Sequence, residues 1–345
     1  MEIKMKIWVD IANPPQVLFL HPIISELEKR GYQLVITTRK HSETISLANR
    51  YGLSHKVIGA HGGGTFLGKG IAIVLRALRA IWYLQRQDIS LAVSSSSYSQ
   101  AIAAKLLNIP LITFNDYEGN PGLYIICRVA RKIIVPEVFS KQNLYSYGAT
   151  EDQLESYKGL KEDIYLSGFV PDPNFLDSVN INKDKILVTM RPASEVSTYH
   201  QFENPLFVEA LKYIARNENA YIILLSRNAE QRQKYEKLNL SNVIFPNTVL
   251  DGPNLVYYSD LIVGAGGTMN REAVVLGSPV YSLFMGKMGS VDRFLIESGK
   301  MTWINNSQDI ERIKITKKNT LENRYQQTSR ILVTEIVDKI LEMGT

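Results

Sequence analysis

The chain has 345 residues, and because domains commonly hold roughly 100–200 residues, this length suggests two domains. Its 45% hydrophobic and 21% charged residues are typical of a globular protein and exclude extensive disorder. The single cysteine, Cys127, excludes a disulfide framework, and the five histidines lack the spacing of a metal site. No apolar run reaches the roughly 18 residues that cross a bilayer. The first residues also lack a signal-peptide pattern, so we expect a soluble cytoplasmic protein.

The net charge of +5 lies in the first half of the chain. Residues 1–170 hold 19 basic and 14 acidic residues, whereas residues 171–345 hold 20 of each, and the segment 56–132 holds 9 basic against 3 acidic. This asymmetry predicts an anionic partner for the first half, although a solubilising surface would have the same composition. A phosphorylated or lipid-linked acceptor fits, as does peripheral contact with a membrane surface. Nucleic acid is not favoured, because the sequence has no Lys/Arg run, zinc knuckle or RNP-like motif.

The first half alternates short β-like runs with helical patterns, which predicts a parallel sheet with right-handed crossovers. The predicted strands are 6–11, 33–37, 56–58, 91–94, 111–114, 132–135 and 164–166. The predicted helices are 20–30, 43–51, 71–86 and 99–107. The helix 71–86 is apolar nearly all round, with Arg76, Arg79 and Arg86 along one stripe. It is interpreted either as a membrane-surface helix or as a helix packed on the sheet with one solvated stripe.

A segment rich in Gly and Pro, 168–174, interrupts this alternation, and we place a linker at 171–183. The alternation then restarts. The predicted strands are 185–189, 220–225, 242–245, 261–263 and 279–283, and the predicted helices are 205–216, 230–238, 268–276 and 291–297. The fold prediction is therefore α/β, with two Rossmann-like, doubly wound parallel-sheet domains, 1–170 and 184–322, facing a cleft. A terminal helix is predicted over 323–343, within a C-terminal segment 323–345, and whether it crosses back to the first domain is left open.

The most informative segment follows the predicted strand 261–263. Small residues at Gly264, Gly266 and Gly267 allow close approach of a ligand, and the following helix start favours a phosphate. Thr268 is predicted to cap the helix and to donate to a phosphate. Glu272 lies one turn further on, where a carboxylate can accept hydrogen bonds from a ribose diol. The alternative is a tight strand-to-helix turn beside an ordinary surface Glu.

This segment resembles the nucleotide-sugar motif of GT-B-fold glycosyltransferases and of UDP-N-acetylglucosamine 2-epimerases. In those families a glycine pair holds the diphosphate and a Glu one turn on holds the ribose, which here match Gly266, Gly267 and Glu272. Over nearly the whole chain the sequence is similar to domain-of-unknown-function family 354, regarded as GT-B glycosyltransferases. The residues that carry this similarity are 8–14, 159–166, 171–173 and 264–272. The resemblance implies a GT-B fold whose second domain binds a nucleotide diphosphate sugar, UDP-linked, as substrate, with no cofactor and no metal.

Two arginines are candidates for the donor side. Arg191 follows the first strand of the second half and can clamp a diphosphate bidentately. The epimerases carry a comparable basic residue after this strand. Arg227 ends the next strand and can approach the base or the phosphate. Each could equally be a surface arginine.

Three residues are candidates for the acceptor side. Asn13 ends the first strand and can bind a hydroxyl, and Ser95 lies in the run 94–97 at the end of another strand. Lys69 lies in a glycine-rich loop that nearly matches a P-loop, but Gly70 replaces the magnesium-binding Ser/Thr, so nucleotide hydrolysis is not favoured. Lys69 can still meet an anionic acceptor.

Three residues are candidate catalytic bases that would deprotonate the acceptor hydroxyl. His21 titrates near neutrality when unperturbed, and Asp116 and Glu118 follow a predicted strand. Each also has a structural interpretation, a helix-start histidine or a capping carboxylate. The favoured function is a metal-independent glycosyltransferase; the alternatives are a nucleotide-sugar 2-epimerase and a non-catalytic sugar-nucleotide or polyanion-binding protein.

Overall fold

The computed structural model describes residues 5–41, 43–63, 65–193, 204–318 and 331–344. The chain divides into two compact units. The first unit comprises Met1–Ser167 together with Thr328–Thr345, and the second comprises Gly168–Gln327. Each unit is a parallel sheet with helices on its faces, as expected when strands alternate with helices along a chain.

The first unit contains a seven-stranded sheet in the order β3-β2-β1-β4-β5-β6-β7. Its strands are β1 (Lys6–Ile11), β2 (Gln33–Lys40), β3 (His55–Ala60), β4 (Leu91–Ser95), β5 (Leu111–Phe114), β6 (Lys132–Pro136) and β7 (Leu154–Tyr157). Its helices are α1 (Pro14–Lys29), α2 (Thr44–Arg50), α3 (Phe66–Leu84), α4 (Tyr98–Leu106), α5 (Leu123–Val129), α6 (Gln142–Tyr145) and α7 (Lys161–Leu166). All neighbouring strands pair in parallel.

The second unit contains a six-stranded parallel sheet in the order β10-β9-β8-β11-β12-β13. Its strands are β8 (Ile186–Arg191), β9 (Ala220–Leu224), β10 (Val243–Ile244), β11 (Leu261–Gly264), β12 (Val280–Ser282) and β13 (Thr302–Trp303). Its helices are α8 (Phe175–Ser178), α9 (Pro205–Ala215), α10 (Ala229–Glu236), α11 (Gly252–Tyr258), α12 (Gly267–Val275) and α13 (Ser290–Glu297). A last helix, α14 (Ile331–Gly344), belongs to the first unit.

The core of the first unit lies between its sheet and helices α1 and α14. Fully buried side chains such as Phe19, Ile24 and Ile336 form this cluster. Arg30, just after α1, bonds Asp338 of α14 at 2.5 Å, which fastens the C-terminal helix to this unit. The prediction of a terminal helix over 323–343 therefore matches α14 from Ile331 onward, and residues 323–330 lie outside the described residues.

One predicted strand is wrong. Residues 164–166 are not a strand but the end of α7, and the seventh strand is β7, ten residues earlier. The Asp163 carboxylate accepts the Leu160 N–H at 2.7 Å, which is the reciprocal contact of a helix start. Acidic residues in the first helical turn also suit the helix dipole. The short apolar run that suggested a strand is instead the buried face of this helix, with Ile164 in the core.

The helix predicted at 71–86 begins earlier and orients its arginines differently. Helix α3 starts at Phe66, after Thr65 accepts the Gly68 N–H at 3.2 Å. Arg76 is buried, whereas Arg79 is exposed, so the predicted stripe of three solvated arginines is wrong. Within the described ranges, no helix is long and apolar enough to span a membrane.

Candidate functional site

Each sheet has one point where the strand order reverses, and ligands of such sheets bind at the carboxyl ends of the strands there. In the second unit this point is β8, which lies between β9 and β11. Gly264 pairs with Arg191 at the carboxyl ends of β11 and β8. The candidate donor residues predicted from the sequence therefore meet at one edge of this sheet.

The helix start after β11 is open to a ligand. Gly266 is the N-cap residue, α12 begins at Gly267, and no side chain caps the helix. The first N–H groups of a helix have no intrahelical acceptor, so they can bind an oxyanion. The prediction that Thr268 caps the helix is wrong, because Thr268 is the second helical residue. Its hydroxyl nevertheless lies in the turn that would face the ligand.

Close contacts surround two glycines of this turn, and only the one at Gly264 excludes a side chain. A Cβ atom on Gly264 would overlap Oδ1 of Asn270, whose Nδ2 donates to the Gly264 carbonyl at 3.1 Å. A Cβ atom on Gly266 would lie 3.2 Å from Nη2 of Arg227. The small residues therefore allow one side chain to close the turn and a guanidinium to lie against it.

Arg227 is held by the segment that follows β8. Its Nε donates to the Pro192 carbonyl at 3.0 Å, and its backbone N–H donates to Oε1 of Gln231 at 3.1 Å. Nε2 of the buried Gln231 donates to the Ala193 carbonyl at 2.9 Å. The side-chain amide of Gln231 therefore connects Arg227 to the segment that follows β8. Sequence reasoning missed Gln231. The signal was its position four residues after Arg227, in the first turn of a helix.

Arg191 is the last residue of β8, and its side chain is half-buried. Its carbonyl accepts the Ala265 N–H at 3.0 Å, which fixes the strand end beside the glycine turn. Neighbouring strands of a sheet lie about 4.8 Å apart. The backbone of Arg191 is therefore adjacent to the turn that leads into α12, as expected for a cation that approaches a bound diphosphate.

A buried ion pair lies next to the start of α12. Nε of Arg271 bonds Oδ1 of Asp292 at 2.6 Å, with side-chain exposures of 6% and 10%. A Cβ atom on Gly267 would lie 3.7 Å from Oδ2 of Asp292 and 3.8 Å from Nη2 of Arg271. The Asp292 carboxylate alone would repel an oxyanion at the helix start, and Arg271 neutralises it. Glu272, the predicted ribose ligand, is also buried, one turn beyond Thr268.

In the first unit the order reverses between β1 and β4, and a buried ion pair occupies this point. Two nitrogens of Arg76 bond the two carboxylate oxygens of Asp10 at 2.6 and 2.7 Å. Hydroxyls of Thr37 and Ser97 also donate to Asp10. Burial alone would raise the pKa of Asp10, but Arg76 and these hydrogen bonds lower it below its usual value. Asp10 is therefore a charged structural anchor.

The acceptor-side candidates Asn13 and Ser95 lie at this same edge and take part in structural contacts. The Asn13 side chain caps α1 by accepting the Gln16 N–H at 3.3 Å. Nε2 of the buried Gln16 donates to the Ser95 carbonyl, while its Oε1 accepts the Ala12 N–H at 2.6 Å. Gln16, which the sequence did not identify as part of the site, thus joins the ends of β1 and β4.

The candidate bases after β5 both have partners. Asp116 forms an ion pair with Lys161 at 2.7 Å, and both side chains are less than one-fifth exposed. The Glu118 side chain is buried, and its Oε1 accepts from Asn143 at 2.9 Å. These contacts orient both carboxylates at the carboxyl end of β5.

His21 does not lie at a helix start. It is seven residues into α1, about 10 Å along the helix from Pro14, and its ring packs against Tyr51 at 4.7 Å between centroids. Burial lowers the pKa of His21. Because α1 runs away from the carboxyl edge of the sheet, this histidine is placed as a packing residue.

Comparison with known proteins identifies the family. A family model described as a protein of unknown function, DUF354, matches residues 5–345. An uncharacterised protein of Methanocaldococcus jannaschii, MJ0665, is 28% identical over 314 residues, which are 89% of this chain and 90% of that protein. The match extends over both units.

Solved structures share the fold. The UDP-GlcNAc 2-epimerase of Neisseria meningitidis, solved with UDP-GlcNAc, aligns with a TM-score of 0.74 and 14% identity, covering 98% of this chain and 100% of the epimerase. The Anabaena protein Alr3699/HepE, solved with UDP and glucose, aligns with a TM-score of 0.63 and 18% identity, covering 99% and 97%. The prediction of two parallel-sheet α/β units like those of the epimerases is therefore confirmed.

Proposed function

The chain belongs to the DUF354 family of proteins of unknown function, and we propose that it is a glycosyltransferase of the GT-B type. In this proposal the second unit binds a nucleoside diphosphate sugar, UDP-linked, and the first unit binds a hydroxyl acceptor. The observation that carries the proposal is the uncapped glycine start of α12 with the Arg227 guanidinium against it. Support also comes from the shared fold of structures solved with UDP or UDP-GlcNAc.

Each residue of the second unit has a role in this proposal. The first N–H groups of α12 and the Thr268 hydroxyl bind the diphosphate, and Glu272 accepts hydrogen bonds from the ribose. Arg191 and Arg227 stabilise the negative charge that develops on the leaving diphosphate. Two guanidinium groups and a helix dipole supply the charge stabilisation that a metal ion gives in other transferases, and we therefore propose a metal-independent reaction.

The acceptor is activated by a carboxylate after β5. Glu118 or Asp116 takes the proton of the acceptor hydroxyl. The hydroxyl oxygen then forms a bond to the anomeric carbon of the sugar, and the bond between that carbon and the nucleoside diphosphate breaks. Lys161 keeps Asp116 ionised, and Asn143 orients the Glu118 carboxylate, so either group can act as the base. His21 is not used, since it packs against Tyr51.

Calorimetry with UDP, GDP, CMP and TDP tests donor binding. We expect one diphosphate nucleotide to bind, and Glu272→Ala to weaken it. Glu297→Ala is a matched control, because it removes an exposed carboxylate at the end of α13 in the same unit. If no nucleotide binds at millimolar concentration to the folded protein, the donor site is assigned wrongly.

The second candidate function is nucleotide-sugar 2-epimerisation. It is favoured by the epimerase structures, which cover nearly the whole of both chains. Incubation with a UDP-sugar and no acceptor separates the two enzymes. An epimerase produces the epimeric UDP-sugar from the donor alone, whereas a transferase releases UDP and transfers the sugar only when an acceptor is present. Binding with neither reaction would indicate a non-catalytic sugar-nucleotide-binding protein.

A further inference from the structure

Two histidines outside the sites described above form a stacked pair in the first unit. His41 directly follows β2 and His61 directly follows β3, and their ring centroids are 4.3 Å apart with an interplanar angle of 18°. The backbone N–H of His61 donates to the Lys40 carbonyl at 3.1 Å, and this bond joins the two strand ends. Nδ1 of His61 accepts the Gly63 N–H at 3.2 Å, so the proton of the neutral ring is on Nε2. Nε2 of His61 is therefore a hydrogen-bond donor, and the residue is exposed.

The glycine-rich loop brings α3 against this pair. A Cβ atom on Gly62 would overlap the Gly68 carbonyl oxygen and lie 2.8 Å from Cβ of Ala72. Gly62 is thus in direct contact with the first turns of α3. Lys69 follows Gly68, and its charge helps to lower the pKa of His61. The sequence singled out this loop as a near P-loop, and in the structure it holds the first turns of α3, which carry Lys69, against the end of β3.

Arg39 completes the cluster. Its Nε donates to the Ala12 carbonyl at 3.0 Å, and its charge lowers the pKa values of both His41 and His61. Burial, with a further contribution from Arg76, lowers the pKa of Arg39 to about 10, although Asp10 opposes this shift. Both carboxylate oxygens of Asp10 bond Arg76, so the ion-pair partner of Asp10 is Arg76 and not Arg39.

Arg39, His41 and His61 thus lie together at the carboxyl ends of β2 and β3, and Lys69 lies on the helix that the glycine loop holds against them. Burial, Arg39 and His61 together lower the pKa of His41 to about 4. Within the described residues, no carboxylate contributes to the pKa of either histidine. Arginine and lysine beside neutral imidazole N–H groups are the donor set that binds a phosphoryl group.

We propose that Arg39, His41, His61 and Lys69 form a phosphoryl-binding site of the first unit. The inference rests on the proposed function, because it gives the chemical class of the acceptor: a molecule that carries a phosphate or diphosphate. The site uses the carboxyl ends of β2 and β3 and the start of α3. It is separate from the glycine turn of the second unit, and each can be tested without the other.

The phosphoryl group can belong to a soluble molecule or to a lipid, and α3 makes the second source a concrete one. This helix leaves one apolar face exposed, formed by Leu67, Ile71, Val74, Leu75, Leu78 and Trp82. Leu67 and Trp82 are 78% and 76% exposed. Helix α3 contains no acidic residue, and Arg79 lies at the edge of the exposed face. This face belongs to the same helix as Lys69, so a lipid surface that contacts it would lie near the cluster.

The test uses the full chain carrying Arg191→Ala and Arg227→Ala, which removes the two arginines proposed to bind a diphosphate in the second unit, and the histidine resonances report only on the first unit. The probe is inorganic pyrophosphate, followed by NMR of the histidine rings. We expect pyrophosphate to shift the His41 and His61 resonances and to raise the pH at which both rings titrate. Lys69→Gln should weaken pyrophosphate binding about tenfold or more, the effect of losing one charged hydrogen bond of about 1.5–3 kcal/mol. Lys56→Gln, at an exposed lysine of β3, should leave it unchanged.

A second arm identifies the source of the phosphoryl group. If the protein sediments with phosphatidylglycerol vesicles and pyrophosphate releases it, the phosphoryl group belongs to a lipid. If the protein binds pyrophosphate but does not sediment with the vesicles, the phosphoryl group belongs to a soluble acceptor. Both results support the site. The inference is overturned if pyrophosphate leaves both rings unshifted in the folded protein, or if Lys69→Gln and Lys56→Gln weaken it equally. Neither outcome bears on UDP binding by the unsubstituted second unit, so the two proposals fail separately.

Discussion

Nη2 of Arg227 lies 3.2 Å from the position that a Cβ atom on Gly266 would occupy. The guanidinium therefore lies close to Gly266, the N-cap residue of α12. A positive charge at a helix start is unfavourable by itself, because the helix dipole is positive at that end. An anion bound beside both groups would offset this repulsion, and the contact therefore supports the diphosphate site that we propose.

The first prediction concerns Gly266→Ala. The backbone of Gly266 has φ −136° and ψ 165°, which alanine adopts without strain. The added methyl group would displace only the tip of the Arg227 side chain. We expect a change in unfolding free energy within about 1 kcal/mol and a clear loss of UDP affinity in calorimetry.

Gly264→Ala is the contrasting variant, because its methyl group would overlap Asn270 inside the turn. Overpacking of this kind costs about 1–3 kcal/mol, so this variant should unfold at lower urea concentration. If Gly266→Ala lost stability to the same extent, or if it bound UDP as the wild type does, the close approach of Arg227 to the ligand would be refuted.

The second prediction concerns the two arginines of the donor site. Replacing Arg191 or Arg227 by Ala removes a charged hydrogen bond to the diphosphate, worth about 1.5–3 kcal/mol, so UDP affinity should fall roughly 10- to 100-fold. Uridine, which lacks the diphosphate, should bind all three proteins equally weakly. A uniform loss of uridine and UDP affinity would instead mean that the arginines act on the base or on the fold.

The positions of the strands along the chain were largely predictable, because most buried strands are apolar runs followed by a helix. Strands β1 and β5 match their predicted bounds, and the glycine turn after β11 was located from the sequence. Two elements were missed: β13, which has only two residues, and α11, whose first residues Gly252 and Pro253 are typical of a turn.

The residues that orient the site were less predictable. Gln16 and Gln231 act through hydrogen bonds to carbonyls of other segments, and Arg271 pairs with Asp292, 21 residues away. Nothing in the spacing of these residues indicates their partners, because the contacts arise only when strand ends are brought together by the sheet. The same reason explains Arg76, which the sequence placed on a solvated stripe and which the fold turns toward Asp10.

The third prediction is that Asp10→Asn strongly destabilises the protein. It leaves the charge of the buried Arg76 without its partner, and breaking such a pair costs about 3–5 kcal/mol. Because the folded pKa of Asp10 is lowered, its stabilising contribution is complete at pH values above the unfolded pKa of about 3.8 and is lost as the pH falls through the folded pKa. Urea denaturation of both proteins should therefore show a difference that is constant from pH 7 to about 5 and that decreases below pH 4. A difference that grew on acidification would contradict this assignment of the charge.

The last prediction separates the two faces of α3. Leu84 is 2% exposed and packs inside the first unit, whereas Leu78 on the same helix is 53% exposed. Leu84→Ala should cost about 2–5 kcal/mol of unfolding free energy, because it removes buried methyl groups and leaves a cavity. Leu78→Ala should change it by less than about 0.5 kcal/mol, as expected for a surface position.

The comparison requires urea denaturation at a protein concentration low enough for the monomer, with light scattering as a check. If Leu78→Ala were as costly as Leu84→Ala and its effect increased with protein concentration, the apolar face would be covered by a second copy of the chain. That result would leave the face unavailable to a lipid surface, whereas a small, concentration-independent effect leaves it free for one.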